Sequence, residues 1–574
     1  MRKILRVDMG KRECRFTDIP KEYERLGGRG LTSTLISLEV DPLCHPLGAT
    51  NKLVIAPGIL GGTLSPCSQR ISVGAKSPLT GGVKEANSGG ISGQKMGRMR
   101  LAAIVLEGKP KTDDLYVLVV TKDDARLEEA GDLKGKGNYH ISEALREKYG
   151  SHVGIASIGP AGEKLLAAAS VAFIDKDGVP CRHAARGGLG SVMGSKGIKA
   201  IVIDDAGTKK VVQAADQETF KKTVQEFIAV IKERPRVKNR LPIYGTAGLV
   251  AFSNEVNAFP TRNFTTGQFE EIEKIAGEHV GELIDERGGE RGHACYPGCI
   301  IRCSNVYMDK EGKHLTSSLE YETLGMLGAN CAIGDVDTIA LLDRLCDDYG
   351  VDTIEIGGAM GVAMEAGVLE FGDGERAVEI LHEVAQGTHL GRIIGSGAAI
   401  TGRVFGMTRV PTIKGQSFPA WDPRSALATG VTFITSPQGA DHTAGRLQGV
   451  LEFDRFEPGT IAPLSQGMQV NVCVQDTIGL CQFSDGTPES AVFLARLLSA
   501  YYGEAFTVED FIKLGEKIFR TEVGFNRRAG ISLKEDRLPE FMLKESLPPT
   551  NAMFTVDQEE IDSAFAHLRE DNED

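Results

Sequence analysis

The chain has 574 residues, 41% of them hydrophobic and 25% charged, and a net charge of −13 at pH 7. That balance is ordinary for a soluble globular enzyme and argues against nucleic acid or an anionic membrane as the main partner. At ~150 residues per domain, the length suggests about three or four domains. Glycine contributes 69 residues, well above the usual ~7%, with no collagen-like period, so many close backbone approaches to a ligand are expected. The first nine residues lack the apolar core of a signal peptide, and no apolar run approaches the ~20 residues of a membrane helix. A cytoplasmic protein with no membrane span is expected. The 11 cysteines are odd in number and irregular in spacing, which fits a reducing, anaerobic-compatible cytoplasm and not a disulfide framework.

Residues 1–205 read as strand-rich, with short apolar runs at 52–56, 71–75, 103–107, 115–120 and 200–204 between Gly, Pro, Ser and Asn punctuation. Helical patterns are few there, at 140–149 and 162–170. Three glycine-rich loops stand out: 27–30 around Arg29; 87–93, after Arg70 and Lys76; and 182–190, with Arg182 and Arg186. Arginine forks beside bare backbone N–H groups suit an anionic, phosphate-bearing ligand. Taken singly, each loop also reads as an ordinary tight turn. None is a Walker A loop, and residues 158–162 are too degenerate for a dinucleotide fingerprint. The basic stretch 232–242 reads as a solvated connection. After residue 205 the pattern turns helical, notably at 338–349 and 491–501. Thr507 and Asp510 resemble a capping box ahead of Phe511, Leu514 and Ile518. Residues 557–574 read as an acidic helix fraying into a tail.

Residues 293–305 place Cys295, Cys299 and Cys303 at four-residue intervals. Pro297 and Gly298 break any helix there, so a loop wrapped around something is expected. Zinc with His293, an iron–sulfur cluster with a distant fourth thiol, and plain packing all stay open, because the spacing matches neither common metal signature. A second pattern repeats: Asp347 to Asp352 and Asp476 to Cys481 share the form Asp-x-x-Gly-apolar-(Asp/Cys). Each follows a helical run, and the glycine suits a C-cap. Two such turns could grip two similar halves of one ligand, and Cys481 could be the missing thiol. Glu320 and Glu322 would share a face on an extended segment, with Tyr321 opposite. By themselves these glutamates read as surface, and His442 as structural.

Here the chain resembles the aldehyde:ferredoxin oxidoreductase family, tungsten enzymes carrying a bis-pyranopterin. The blocks 75–81, 86–90, 156–162, 186–196, 320–322 and both Asp-x-x-Gly turns occur in family order, nearly end to end. The resemblance implies an α+β fold: a β-rich metal–pterin base (1–205) followed by two largely helical domains (206–410 and 411–574). It implies that Arg70, Asn87, Gly89, Arg182, His183, Ala185 and Arg186 contact the cofactor from the base. Asp347, Val351 and Asp352, with Asp476, Cys481 and Gln482, would hold it from above. Cys295, Cys299, Cys303 and Cys481 would bind one [4Fe–4S] cluster. A tungsten or molybdenum bis-pyranopterin, with Mg2+ bridging the pterin phosphates, is the implied cofactor. Glu322 would be the general base and His442 the proton donor in oxidation of an aldehyde to a carboxylic acid. Electrons would pass to ferredoxin or to a small iron–sulfur subunit within a larger hetero-oligomer.

Two departures from the family pattern are expected to matter. Aligned on the family's Cys-x-x-Cys-x-x-x-Cys run, Gly292 stands at the first thiol and Cys303 substitutes for it. Leu341 and Arg344 stand where the archetype's Glu-x-x-His holds an iron between two subunits. Three other functions compete: low-potential reduction of an acid or acyl thioester on the same scaffold, a zinc-stapled binding protein, and a nicotinamide dehydrogenase using residues 158–162.

Overall fold

The computed structural model describes residues 2–445, 447, 459–484 and 488–570. Its amino-terminal part is built on strands β1 (Lys3–Asp8), β2 (Glu13–Asp18), β3 (Leu53–Pro57), β4 (Ile71–Lys76), β5 (Val83–Ser88), β6 (Leu101–Glu107), β7 (Tyr116–Val120), β8 (Ala125–Glu129), β9 (Gly154–Ser157), β10 (Val171–Phe173), β11 (Arg182–Ala184) and β12 (Ile198–Ile203). They form two six-stranded sheets in the orders β2-β1-β6-β3-β4-β5 and β8-β7-β12-β9-β10-β11. Adding six to each strand number of the first sheet gives the second. The directions agree too: β1 with β6 and β7 with β12 are parallel, and every other pair is antiparallel. One topology is therefore used twice.

Helices repeat with the strands. Helix α1 (Gly28–Glu39) joins β2 to β3, and α2 (Asn138–Tyr149) joins β8 to β9. Strands β3, β4, β7 and β12 are buried at every position, which is why they read as continuous apolar runs and not as alternation. Register makes residues equivalent across the two halves. Ser72 pairs with Asn87 and Ala172 with His183, so Asn87 and His183 hold corresponding places, as do Arg70 and Ser170 just before β4 and β10.

The remainder is largely helical and includes α3 (Val336–Tyr349), α4 (Thr353–Glu365), α5 (Ile461–Ile478) and α6 (Val508–Arg528). The Thr507–Asp510 capping box opens α6. The helix expected from residue 557 spans Gln558–Arg569, and residues 571–574 lie outside the described set. Among the described residues, no single helix is long and apolar enough to cross a membrane.

Three local expectations are corrected. Residues 162–170 are not a helix: only Pro160–Glu163 turns, and Leu165 then takes φ 59 as the chain bends toward β10. The basic stretch 232–242 is not a loop. It holds helices Pro235–Asn239 and Leu241–Tyr244, each with proline in its first turn, and buries Val237 and Leu241. Residues 27–30 are the start of α1, where Arg29 is buried against Glu522 at 2.7 Å.

Candidate active site

The two Asp-x-x-Gly turns close α3 and α5, with Gly350 at φ 72 and Gly479 at φ 87 as left-handed C-caps. The duplicated base receives them in the same way. Ser170 N donates to Gly350 O at 2.9 Å, and Arg70 N donates to Gly479 O at 3.1 Å. The turns return a bond at their last residue: Asp352 N to Ala168 O at 3.0 Å, and Cys481 N to Cys67 O at 2.7 Å. Gly159 and Gly58, just past β9 and β3, permit this approach. A Cβ would lie 2.3 Å from Tyr349 O at the first and 2.2 Å from Ile478 O at the second. Of the glycines at 158–162, Gly159 thus packs against the turn and Gly162 against Gly190.

Between base and turns lies a cavity of about 760 Å³. It is lined by Arg70, Asn87, Gly89, Arg182, His183, Ala185 and Arg186 from the base. Asp347, Val351, Asp352, Asp476, Cys481 and Gln482 from the turns, the three close thiols, Glu322 and His442 line it as well. Side chains brace each turn. Arg186 sits 3.2 Å from Asp352 and donates to Ala440 O and Ser417 O, both at 2.6 Å. His183 Nε2 lies 3.1 Å from Asp347, and its Nδ1 meets Ser170 Oγ at 2.7 Å. The equivalent pair in the other half is Arg70 donating to Asn87. Arg182 hydrogen-bonds Ser304 and lies 3.8 Å from Glu320, while its buried Nε has no partner among the described residues.

Glu322 and Glu320 do not share a strand face. The chain turns helical at Tyr321, which sends Glu320 toward Arg182 and Thr246 and Glu322 toward His442. Glu322 Oε2 accepts Ala420 N–H at 2.7 Å. Its Oε1 is buried without a hydrogen bond among the described residues and faces His442 Nε2 at 3.4 Å. Burial pushes the Glu322 carboxyl up, with His442 pulling the other way. Asp441, next to His442, is held well below the carboxylate range despite burial, by Lys84 at 2.8 Å and by Arg186.

The neighbouring Cys299 thiol, reinforced by Arg182 against burial, lowers Cys295 to about 5. Burial pushes Cys303 up. Among the described residues no three of the cavity thiols approach within 4.8 Å of one another. His293 stands apart from them, its ring between Asp175 at 3.2 Å, Asp177 at 3.3 Å and Glu290 at 3.0 Å. A zinc set of three thiols and His293 is therefore not assembled. Leu341 is partly exposed, and Arg344 stacks 3.3 Å over the Tyr139 ring, so neither offers a metal a ligand.

Sequence reading missed Glu85, Asp343, Asp441 and Trp421, all on the cavity wall. Burial, with the charge of Asp476, pushes Glu85 to about 8. Two signals were present: Asp343 lies one helical turn before Asp347, and Glu85 shares a strand face with Asn87.

A duplicated base, a half-buried acid–histidine pair and the close thiols line one cavity. Residues 4–205 match the family model described as aldehyde ferredoxin oxidoreductase, N-terminal domain, and residues 222–568 match that for domains 2 and 3. The chain belongs to the aldehyde ferredoxin oxidoreductase family and is an oxidoreductase. It is 35% identical to the tungsten-containing aldehyde ferredoxin oxidoreductase of Pyrococcus abyssi, over 95% of this chain and 92% of that protein. The enzyme of the same name from Pyrococcus furiosus is 34% identical over 100% and 96%. A Pyrococcus furiosus aliphatic sulfonate oxidoreductase, WOR-like subunit, is 24% identical over 77% and 74%. In fold, the chain matches the active site complex BamBC of benzoyl coenzyme A reductase with a TM-score of 0.81 at 20% identity, covering 99% of this chain and 94% of that one.

Proposed function

We propose that the enzyme oxidises aldehydes to carboxylic acids with a tungsten bis-pyranopterin and passes electrons through one [4Fe–4S] cluster to ferredoxin or an iron–sulfur subunit. The observation that carries this reading is the doubled grip: one fold, used twice, holds two like turns around a single cavity, as a ligand with two similar halves requires. The donor set fits such a group. Arg70, Asn87, Gly89, Arg182, His183, Ala185 and Arg186 would meet it from below. Asp347, Val351 and Asp352, with Asp476, Cys481 and Gln482, would meet it from above. Arg182 keeps a buried N–H for an anionic partner, and a Mg2+ ion with the pterin phosphates would belong to the same reading. Tetrahedral zinc would draw its sulfurs to about 3.8 Å, from bonds of ~2.3 Å. Among the described residues no three of these thiols lie within 4.8 Å of one another, so the tight zinc arrangement is not assembled, and a larger iron–sulfur cluster would take Cys295, Cys299, Cys303 and Cys481. Free thiols and such a cluster call for a reducing cytoplasm.

When bound, the metal–pterin supplies the two-electron redox centre. Glu322 Oε1, which makes no hydrogen bond among the described residues and faces His442, takes the proton of the water that adds to the aldehyde carbon. Burial suits it to that role by raising its basicity. His442 hydrogen-bonds the carbonyl oxygen and gives it a proton as the hydrate forms. The buried Lys84–Asp441 pair fixes the chain beside His442.

Elemental analysis of anaerobically purified protein for W, Mo, Fe, Zn and sulfide tests the reading, together with aldehyde-dependent viologen reduction. Tungsten with iron, sulfide and aldehyde turnover is the expected result. Zinc alone would overturn it. Turnover with acyl-CoA and low-potential electrons but not with aldehydes would replace it by the reductive reaction.

A further inference from the structure

Comparison of the two halves isolates one side chain that the fold does not need. The last residue of each turn donates its N–H to a base carbonyl. In one half that carbonyl belongs to Ala168, in the other to Cys67. Alanine makes the clamp as well as cysteine does, so the Cys67 sulfur is surplus to the clamp. Cys67 also holds φ 57, which a non-glycine residue adopts at an energetic cost.

The sulfur sits among the thiols without lining the cavity. Cys67 is 1% exposed and packs in one apolar cluster with Ile301 and Leu480, against which Cys299, Cys303 and Cys481 lie. Its N–H donates to the Tyr296 hydroxyl at 3.0 Å, and Tyr296 is the residue after Cys295. Its carbonyl receives Cys481 N–H at 2.7 Å. Its buried sulfur shares that apolar cluster with these thiols. Cys67 therefore touches both the close trio's loop and the turn that carries the distant fourth thiol.

We propose that Cys67 is a positioning residue, and not a ligand, for the thiol-bound iron–sulfur centre: it locks the Tyr296 loop to the Cys481 turn and sets the potential of the centre through its sulfur. The inference rests on the cluster reading above. Polar hydrogens and polarisable atoms around ligating sulfurs stabilise the reduced, more negative cluster and so raise its potential.

The test is a redox titration of the as-purified enzyme followed by electron paramagnetic resonance, with iron and sulfide counted in the same samples. Cys67→Ala should keep wild-type iron and sulfide and shift the midpoint potential downward. Cys67→Ser, which keeps a polar hydrogen, should return most of that shift, and Tyr296→Phe should shift in the same direction as Cys67→Ala. If Cys67→Ala does not fold, Cys67→Ser and Tyr296→Phe carry the test alone: a shift in Tyr296→Phe at full iron supports the proposal. An unchanged potential and signal in every folded variant would overturn it, as would loss of iron in the Cys67 variants, which would make Cys67 a ligand. Wild-type enzyme without iron and sulfide would overturn the cluster reading itself.

Discussion

The two halves of the base hold their turns with matching backbone bonds and then end them in different chemistry. Near β10 the turn ends in Asp352, which caps α4 and faces Arg186. Near β4 it ends in Cys481, beside the thiols. The turns' first residues are braced differently as well. Asp347 O accepts from the Asn138 side chain at 2.7 Å, whereas Asp476 O is met by Gly28 itself, where a Cβ would lie 2.0 Å away. Duplicated backbone can thus supply a symmetric cradle while single side chains assign each half a different task. In the proposed enzyme, electrons leave on the Cys481 side.

The largest expected effect separates proton transfer from that electron path. Glu322→Gln should cut aldehyde turnover by about 10²-fold or more while tungsten, iron and sulfide stay at wild-type levels. Parallel loss of metal would instead assign Glu322 to the cradle. The pH profile carries the same idea. Burial favours the protonated Glu322 carboxyl, and the base must be ionised to act. Turnover should therefore fall on the acid side at a pH above the ordinary carboxylate range, and the Gln variant should lose that limb.

Next in size is the test of the shared grip. Gly350→Ala and Gly479→Ala each place a Cβ at positive φ, about 1–2 kcal/mol of strain. Each Cβ would also approach backbone of the receiving loop to 2.8 Å, at Gly159 N and at Gly58 Cα. Both variants should lose thermal stability and bound cofactor to a similar degree. A large effect at one glycine and none at the other would break the equivalence of the halves. The smallest effect sharpens their difference. Asn138→Ala removes the side-chain bond to Asp347 O, worth about 1 kcal/mol. Hydrogen exchange should speed up around residues 347–352 and stay unchanged around 476–481.

Much of the site could be read from the sequence because its signals are local. A glycine after a helical run can announce a left-handed cap, and Pro297 with Gly298 excludes a helix through the thiols. Other parts were not readable, and each for a physical reason. Residues 27–30 look like a loop, yet their glycines let α1 begin against Asp476, a contact 447 residues or so away in the chain. Pro235 and Leu241 open short helices because Val237 and Leu241 find an apolar cluster that no local pattern displays. Glu320 and Glu322 diverge because the chain turns helical between them.

The sequence alone determined the two turns, the thiol spacing, the arginine-bearing glycine loops and the Thr507–Asp510 capping box, since each depends on residues a few positions apart. Only the tertiary structure decided that β1–β6 recur as β7–β12 and that Gly350 and Gly479 meet equivalent loops. It also decided that Cys67 joins the thiols and that His293 leaves them for Asp175. Such pairings depend on chain segments hundreds of residues apart that share no sequence period, and long-range backbone bonds and buried apolar surface bring them together.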